Sequence, residues 1–343
     1  MNDIAIRVEG RAGRITLNRP AALNAATYDM VQAVEAALDG WRDDPAVALV
    51  VMDAAGDKAF CAGGDIADLY ASGKAGDFAY GRRFWADEYR LNAKLAEYAK
   101  PVVSLMQGFV MGGGVGLGCH ASHRVVGETS RIAMPECGIG LVPDVGGSLL
   151  LARAPGRLGE YLGLTAARMD AGDASRAGFA DHFVPQDRWG DLIARLCDTG
   201  DAGAVAQVSE KAPQGALHAL QDQIDRLFAG NMLVDVDAAL RADDSAFAAD
   251  TLKSVSRNSP LSMACTLDML ARLRAPGTTI RDALDLEYRF TARAMEHGDF
   301  LEGIRAAIID KDRKPVWKHA IETLPDAAVS EMLAPLGKDA LSL

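Results

Sequence analysis

Two short apolar runs, each followed by a glycine-rich turn, constrain this chain more than any other feature. Ala48 to Met52 (ALVVM) leads into CAGGD at Cys61–Asp65, and Pro101 to Met106 (PVVSLM) leads into MGGGVGLG at Met111–Gly118. A brief apolar run without polar alternation is a strand covered on both faces, and such strands belong to parallel sheets flanked by helices. Arg11 to Asn18 reads as a hairpin strand. Met30, Val34, Leu38 and Trp41 then recur at helical spacing, with Asn24 or Thr27 available as the cap. This alternation predicts an α/β domain with parallel pairing, whose ligands sit beyond the carboxyl ends of its strands. Past about Pro185 the pattern changes to helical stretches rich in Ala, Leu, Asp and Arg. The expected organisation is an α/β core over residues 1–185 and a helical C-terminal region over 186–343.

The glycine turns admit two uses. MGGGVGLG is not followed by the Lys-Ser/Thr pair of a phosphate-binding loop, and glycines such as Gly116 and Gly118 suit close packing of a helix on a strand. Gly64 and Gly113 can also bring backbone N–H groups up to a ligand with no side chain in the way. Two such donors aimed at one point make an oxyanion hole. A second feature is AMPECGIGLVPDVGG, Ala133 to Gly147, which places Glu136 and Asp144 eight residues apart among apolar residues, glycine and proline. Either both carboxylates serve turns and face water, or they are buried and carry partners or chemistry.

Composition removes several classes of function. The chain has 343 residues, 49% hydrophobic and 24% charged, enough to bury a large core and incompatible with extended disorder. Its formal charge of -11 argues against nucleic acid as a general partner, although a local cluster such as Lys311, Arg313 and Lys314 can still serve an anionic substrate or simply solvate a helix end. The apolar runs are too short for a membrane span. The opening MNDIAIRVEGRAGRITLNRP alternates like a strand, so a cytoplasmic location is expected. Five scattered cysteines read as reduced packing residues. His120 and His123 lack a further ligand nearby and read as helix-surface or packing histidines, so no metal is expected.

LNRPAALNA (Leu17–Ala25), KAFCAGGDI (Lys58–Ile66), GFVMGGGVGLG (Gly108–Gly118) and AMPECGIGLVPDVGG resemble, in order, the signature blocks of the crotonase superfamily, also called the enoyl-CoA hydratase/isomerase superfamily. The segment Glu287–Trp317 (EYRFTARAMEHGDFLEGIRAAIIDKDRKPVW) is similar to the C-terminal region of a hydrolase branch, so the resemblance covers nearly the whole chain. It implies the crotonase fold, with stacked ββα units in residues 1–185 holding an acyl-CoA. By the same resemblance the N–H groups of Gly64 and Gly113 form the oxyanion hole, Glu136 is the catalytic glutamate, and Asp144 is the hydrolases' second carboxylate. Glu88, in FWADEYRLN, matches a substrate-contacting glutamate, and reads equally as a solvated helix residue.

The reaction implied is hydrolysis of a short 3-hydroxyacyl-CoA to the free 3-hydroxy acid and CoA, as in valine catabolism. CoA is then part of the substrate and no cofactor is held. Hydratases of the superfamily place a second glutamate, and dienoyl-CoA isomerases an aspartate, where this chain has Gly116. A hydratase, an isomerase and a non-catalytic CoA-binding protein are the alternatives. Relatives commonly form trimers, which makes a homo-oligomer possible.

Overall fold

Both apolar runs become strands, and each is followed by a second, shorter strand. In the computed structural model, which describes residues 3–343, the strands are β1 (Ile4–Glu9), β2 (Ala12–Leu17), β3 (Leu49–Ala54), β4 (Ala59–Cys61), β5 (Val102–Met106), β6 (Phe109–Met111), β7 (His123–Val126), β8 (Arg131–Ala133) and β9 (His182–Phe183). One sheet runs β1-β2-β3-β5-β7-β9, antiparallel at the β1–β2 hairpin and parallel from there on; the other is the parallel trio β4-β6-β8. Each of β3, β5 and β7 is therefore followed by a short strand of the second sheet and then by a helical element: Ala67–Lys74, Gly113–Gly118 or the 3-10 turn Glu136–Ile139. These three ββα repeats match the crotonase arrangement the sequence motifs imply. Past β9 no strand occurs among the described residues.

The chain divides into two compact units. The first comprises the described residues up to Asp65, Arg90–Ala133 and Arg168–His218. It holds both sheets. Ala12, Leu49, Val51, Val103, Leu105 and Val125 are shielded from water by Trp189, Leu192 and Leu196 of the Trp189–Thr199 helix. Full burial of each valine or leucine side chain among them contributes about 1.5–3 kcal/mol.

Thr27, not Asn24, caps the Tyr28–Trp41 helix: its side chain accepts from Met30 N at 3.2 Å, and Met30, Val34, Leu38 and Trp41 are buried. Asn24 is used differently. It is buried with φ at 55°, accepts from Arg19 N, and donates to the carbonyls of Ala55 and Ala59, tying the LNRPAALNA segment to the start of β4.

The second unit comprises Ile66–Tyr89, Met134–Ala167 and Ala219–Leu343. Its longer helices have well-formed starts. Ser259 accepts from Ser262 N ahead of Pro260–Leu273, and Thr279 with Asp282 closes a capping box ahead of Ile280–Ala294. All five cysteines are buried and free. Among the described residues no helix is long and apolar enough to cross a membrane.

Candidate active site

In the first unit, Gly64 and Gly113 each present a backbone donor with no acceptor among the described residues. Gly64 follows β4 and forms a parallel bridge with Ala26, made by Ala26 N to Gly63 O and Asp65 N to Ala26 O. A bridge of this type uses the residues on either side of Gly64, so the N–H of Gly64 itself is left over. Gly113 opens the Gly113–Gly118 helix, where the first N–H groups have no intrahelical acceptor. Gly112, the preceding residue, has φ 50° and ψ -119°, a conformation open only to glycine. The two segments lie side by side: a Cβ on Gly114 would stand 2.1 Å from the carbonyl oxygen of Cys61, and one on Gly63 would stand 3.6 Å from that of Met111.

The second unit gathers the carboxylates. Glu88, Glu136 and Asp144 are all buried, with 6%, 4% and 4% of their surface exposed. Both the water-facing reading of Glu136 and Asp144 and the solvated-helix reading of Glu88 are thereby overturned. The pattern around Glu88 explains why: Phe84, Trp85, Glu88 and Tyr89 fall on one face of the Phe78–Ala96 helix, and all four are buried.

Among the described residues none of these acids forms an ion pair, so their electrostatics are set by burial and by one another. Burial raises the Asp144 carboxyl to about 7, against the hydrogen bond from the Tyr89 hydroxyl at 2.8 Å. Glu88 is raised to about 8 by burial and then by the charge of Asp144. Glu136 is pushed well above the usual carboxylate range by burial first, then by Asp144, with smaller contributions from Glu287 and Glu88. Its Oε2 is buried without a hydrogen-bond partner among the described residues. Such an atom is costly to keep unless something else makes use of it.

Each acid is placed by local structure. Glu136 opens a 3-10 turn that Cys137 fastens down, its carbonyl accepting from Ser259 N at 2.9 Å and its thiol lying 3.5 Å from Thr266 Oγ1. Asp144 sits at the head of a tight turn in which its carbonyl accepts from Gly147 N at 2.7 Å.

A model of the enoyl-CoA hydratase/isomerase family matches residues 12–333. The 3-hydroxyisobutyryl-CoA hydrolase, mitochondrial, of Gallus gallus is 37% identical over 99% of this chain and 91% of its own length. The chain belongs to the enoyl-CoA hydratase/isomerase family. A crystal structure of an enoyl-CoA hydratase from Rhodobacter sphaeroides 2.4.1 is 61% identical over the whole of both chains, with a TM-score of 0.96. One of a carnitinyl-CoA dehydratase from Mycobacterium thermoresistibile is 40% identical over 100% of this chain and 99% of its own, with a TM-score of 0.94.

Three residues of this family member escape the sequence reading: Tyr89, Ser148 and Glu287. The Tyr89 hydroxyl, fully buried, donates to Asp144 and also meets Thr291 Oγ1 at 3.4 Å. Glu287 accepts from Gly146 N at 2.9 Å, from Ser148 N at 3.3 Å and from Ser148 Oγ. A signal for Glu287 exists in the sequence. Ile280, Ala283, Leu284, Thr291 and Ala294 mark the buried face of its helix, and Glu287 is the carboxylate in the middle of it. His120 lies in the turn after the glycine helix. His123 is on β7, not on a helix, and its ring stacks on His182 with centroids 6.0 Å apart.

Proposed function

We propose that this chain hydrolyses 3-hydroxyisobutyryl-CoA, or a related short 3-hydroxyacyl-CoA, to the 3-hydroxy acid and CoA. The observation that carries the reading is the buried Glu136 with its unpartnered Oε2, beside Asp144 and Glu88, in a chain whose position three residues after Gly113 is Gly116. Hydration by paired glutamates needs a second carboxylate at Gly116, where this chain has no side chain at all. Similarity to the Gallus gallus hydrolase over nearly the full length supports the same choice.

In this reading the N–H groups of Gly64 and Gly113 receive the thioester oxygen as charge develops on it. Each such donor is worth about 3 kcal/mol in the transition state. Gly64 and Gly113 follow the carboxyl ends of the paired strands β4 and β6 by two or three residues, which supports their two donors meeting one oxygen. Glu136 then works by one of two routes. Its carboxylate takes a proton from water as the oxygen attacks, the C–S bond breaks, and that proton leaves on the thiolate; or it attacks directly, expels the thiolate, and the resulting anhydride is hydrolysed. Asp144 binds the 3-hydroxyl and Glu88 contacts the acyl group.

A role in valine catabolism and a cytoplasmic location belong to the same proposal. The Gallus gallus relative is named mitochondrial, and cell fractionation decides the location. The chemistry is tested by Glu136→Gln, which keeps the shape and removes the base or nucleophile. Thiol release should fall at least about 100-fold while CoA binding, measured by calorimetry, persists. Retained turnover would take the chemistry away from Glu136.

A further inference from the structure

We propose that Glu287 is the positioning residue for Asp144: it clamps the strained turn that carries the aspartate and touches no reacting atom. The inference rests on the reading above, in which Asp144 binds the substrate hydroxyl.

The turn is the starting point. Asp144 O accepts from Gly147 N, and both residues between them have left-handed backbones, with φ 53° at Val145 and 76° at Gly146. Glycine adopts that conformation freely, whereas a β-branched valine there is a genuine outlier. Strain of this kind costs on the order of 1–3 kcal/mol and persists only where the surroundings over-determine it.

Glu287 supplies the over-determination. Its Oε2 takes the N–H of Gly146 inside the turn, and its Oε1 takes both the N–H and the hydroxyl of Ser148 just past it. All three donors come from within four residues of Asp144, and Glu287 itself is 0% exposed with no ion pair among the described residues. A fully buried acid, its carboxyl pushed up to about 8 by burial and then by the Asp144 charge, is an expensive anchor for a loop, so its use points to an aim that must be held closely. The capping box at Thr279 and Asp282 sets the start of the helix that carries Glu287. One turn further along, Thr291 meets the Tyr89 hydroxyl that donates to Asp144 Oδ2. The same helix thus braces the aspartate through its backbone turn and through its side chain.

The test compares kcat and KM for 3-hydroxyisobutyryl-CoA and for isobutyryl-CoA, which lacks the hydroxyl, in wild type, Asp144→Ala, Glu287→Gln, Ser148→Ala and the Asp144→Ala/Glu287→Gln double variant. Circular dichroism and Tm check that each is folded. Glu287→Gln places an amide NH2 against an N–H donor, so the turn should shift and discrimination between the substrates should fall about tenfold or more. Ser148→Ala should act in the same direction and more weakly. In the Asp144→Ala background, Glu287→Gln should change discrimination no further. A folded Glu287→Gln protein that discriminates as wild type does, while Asp144→Ala does not, rejects the positioning role and keeps the hydroxyl reading. If Asp144→Ala leaves discrimination intact, the hydroxyl reading fails. Positioning then survives only if the double variant loses no more kcat than Asp144→Ala alone, and additive losses overturn it. Should Glu287→Gln not fold, Ser148→Ala alone and combined with Asp144→Ala is judged by the same criteria.

Discussion

At Glu136, burial and the neighbouring Asp144 charge both oppose ionisation, yet either hydrolytic route needs the carboxylate. Activity should therefore rise with pH along an acid limb as Glu136 loses its proton. Because burial also pushes the neighbouring Asp144 carboxyl up to about 7, the wild-type limb should be broad and belong to the pair. The sign for a variant follows. Asp144→Asn removes a negative neighbour, lowers the Glu136 pKa, and moves the limb to lower pH. A pH profile of kcat/KM that stays put or moves to higher pH would show that Glu136 is not the group being titrated. The roles of Glu136, Asp144 and Glu88 were suggested by the quoted motifs. Tyr89 and Ser148 were not, because each looks like an ordinary helix residue until the burial of its neighbours is known; Glu287 was legible only from the helical spacing of the residues around it, which no motif marks.

At the scale of elements, the glycine helix and the loop after β4 depend on each other. Gly114 packs on a backbone carbonyl, which cannot swing aside as a side chain can. Gly114→Ala would put a Cβ 2.1 Å from Cys61 O, so the segment bearing Gly64 or the helix start bearing Gly113 must shift. Overpacking of this kind costs about 1–3 kcal/mol. The expected result is a lower Tm together with a loss of kcat larger than any change in KM, since the donors matter most in the transition state. An unchanged kcat would separate this packing from catalysis. The strands were legible in the sequence because short buried runs and glycine breaks are local signals. The cap was only half legible: Asn24 and Thr27 are both good cap residues, and a tertiary duty, bonding the carbonyls of Ala55 and Ala59, claimed Asn24.

Across the whole molecule, the division into two units built from interleaved stretches was not visible in a local pattern, because it depends on contacts between segments far apart in the chain. Charge is the other global property. A chain of net charge -11 must meet an anionic acyl-CoA through local cations. Lys311, Arg313 and Lys314 are exposed and outside ion pairs among the described residues. Nearby Arg305 is held by Glu302, Asp310 and Asp312 at 2.6 to 2.8 Å. Replacing the three exposed cations by Gln should raise KM for the CoA thioester on the order of tenfold, at about 0.2–1 kcal/mol per exposed pair, and leave a pantetheine thioester unaffected. Equal effects on both would mark the cluster as solvated surface. The central claim, hydrolysis and not hydration, is decided in one assay. Purified protein is given 3-hydroxyisobutyryl-CoA and crotonyl-CoA in parallel, following free thiol and the enoyl absorbance. The account predicts thiol from the hydroxyacyl substrate and no fast loss of enoyl absorbance from crotonyl-CoA; rapid loss of that absorbance without thiol would contradict it.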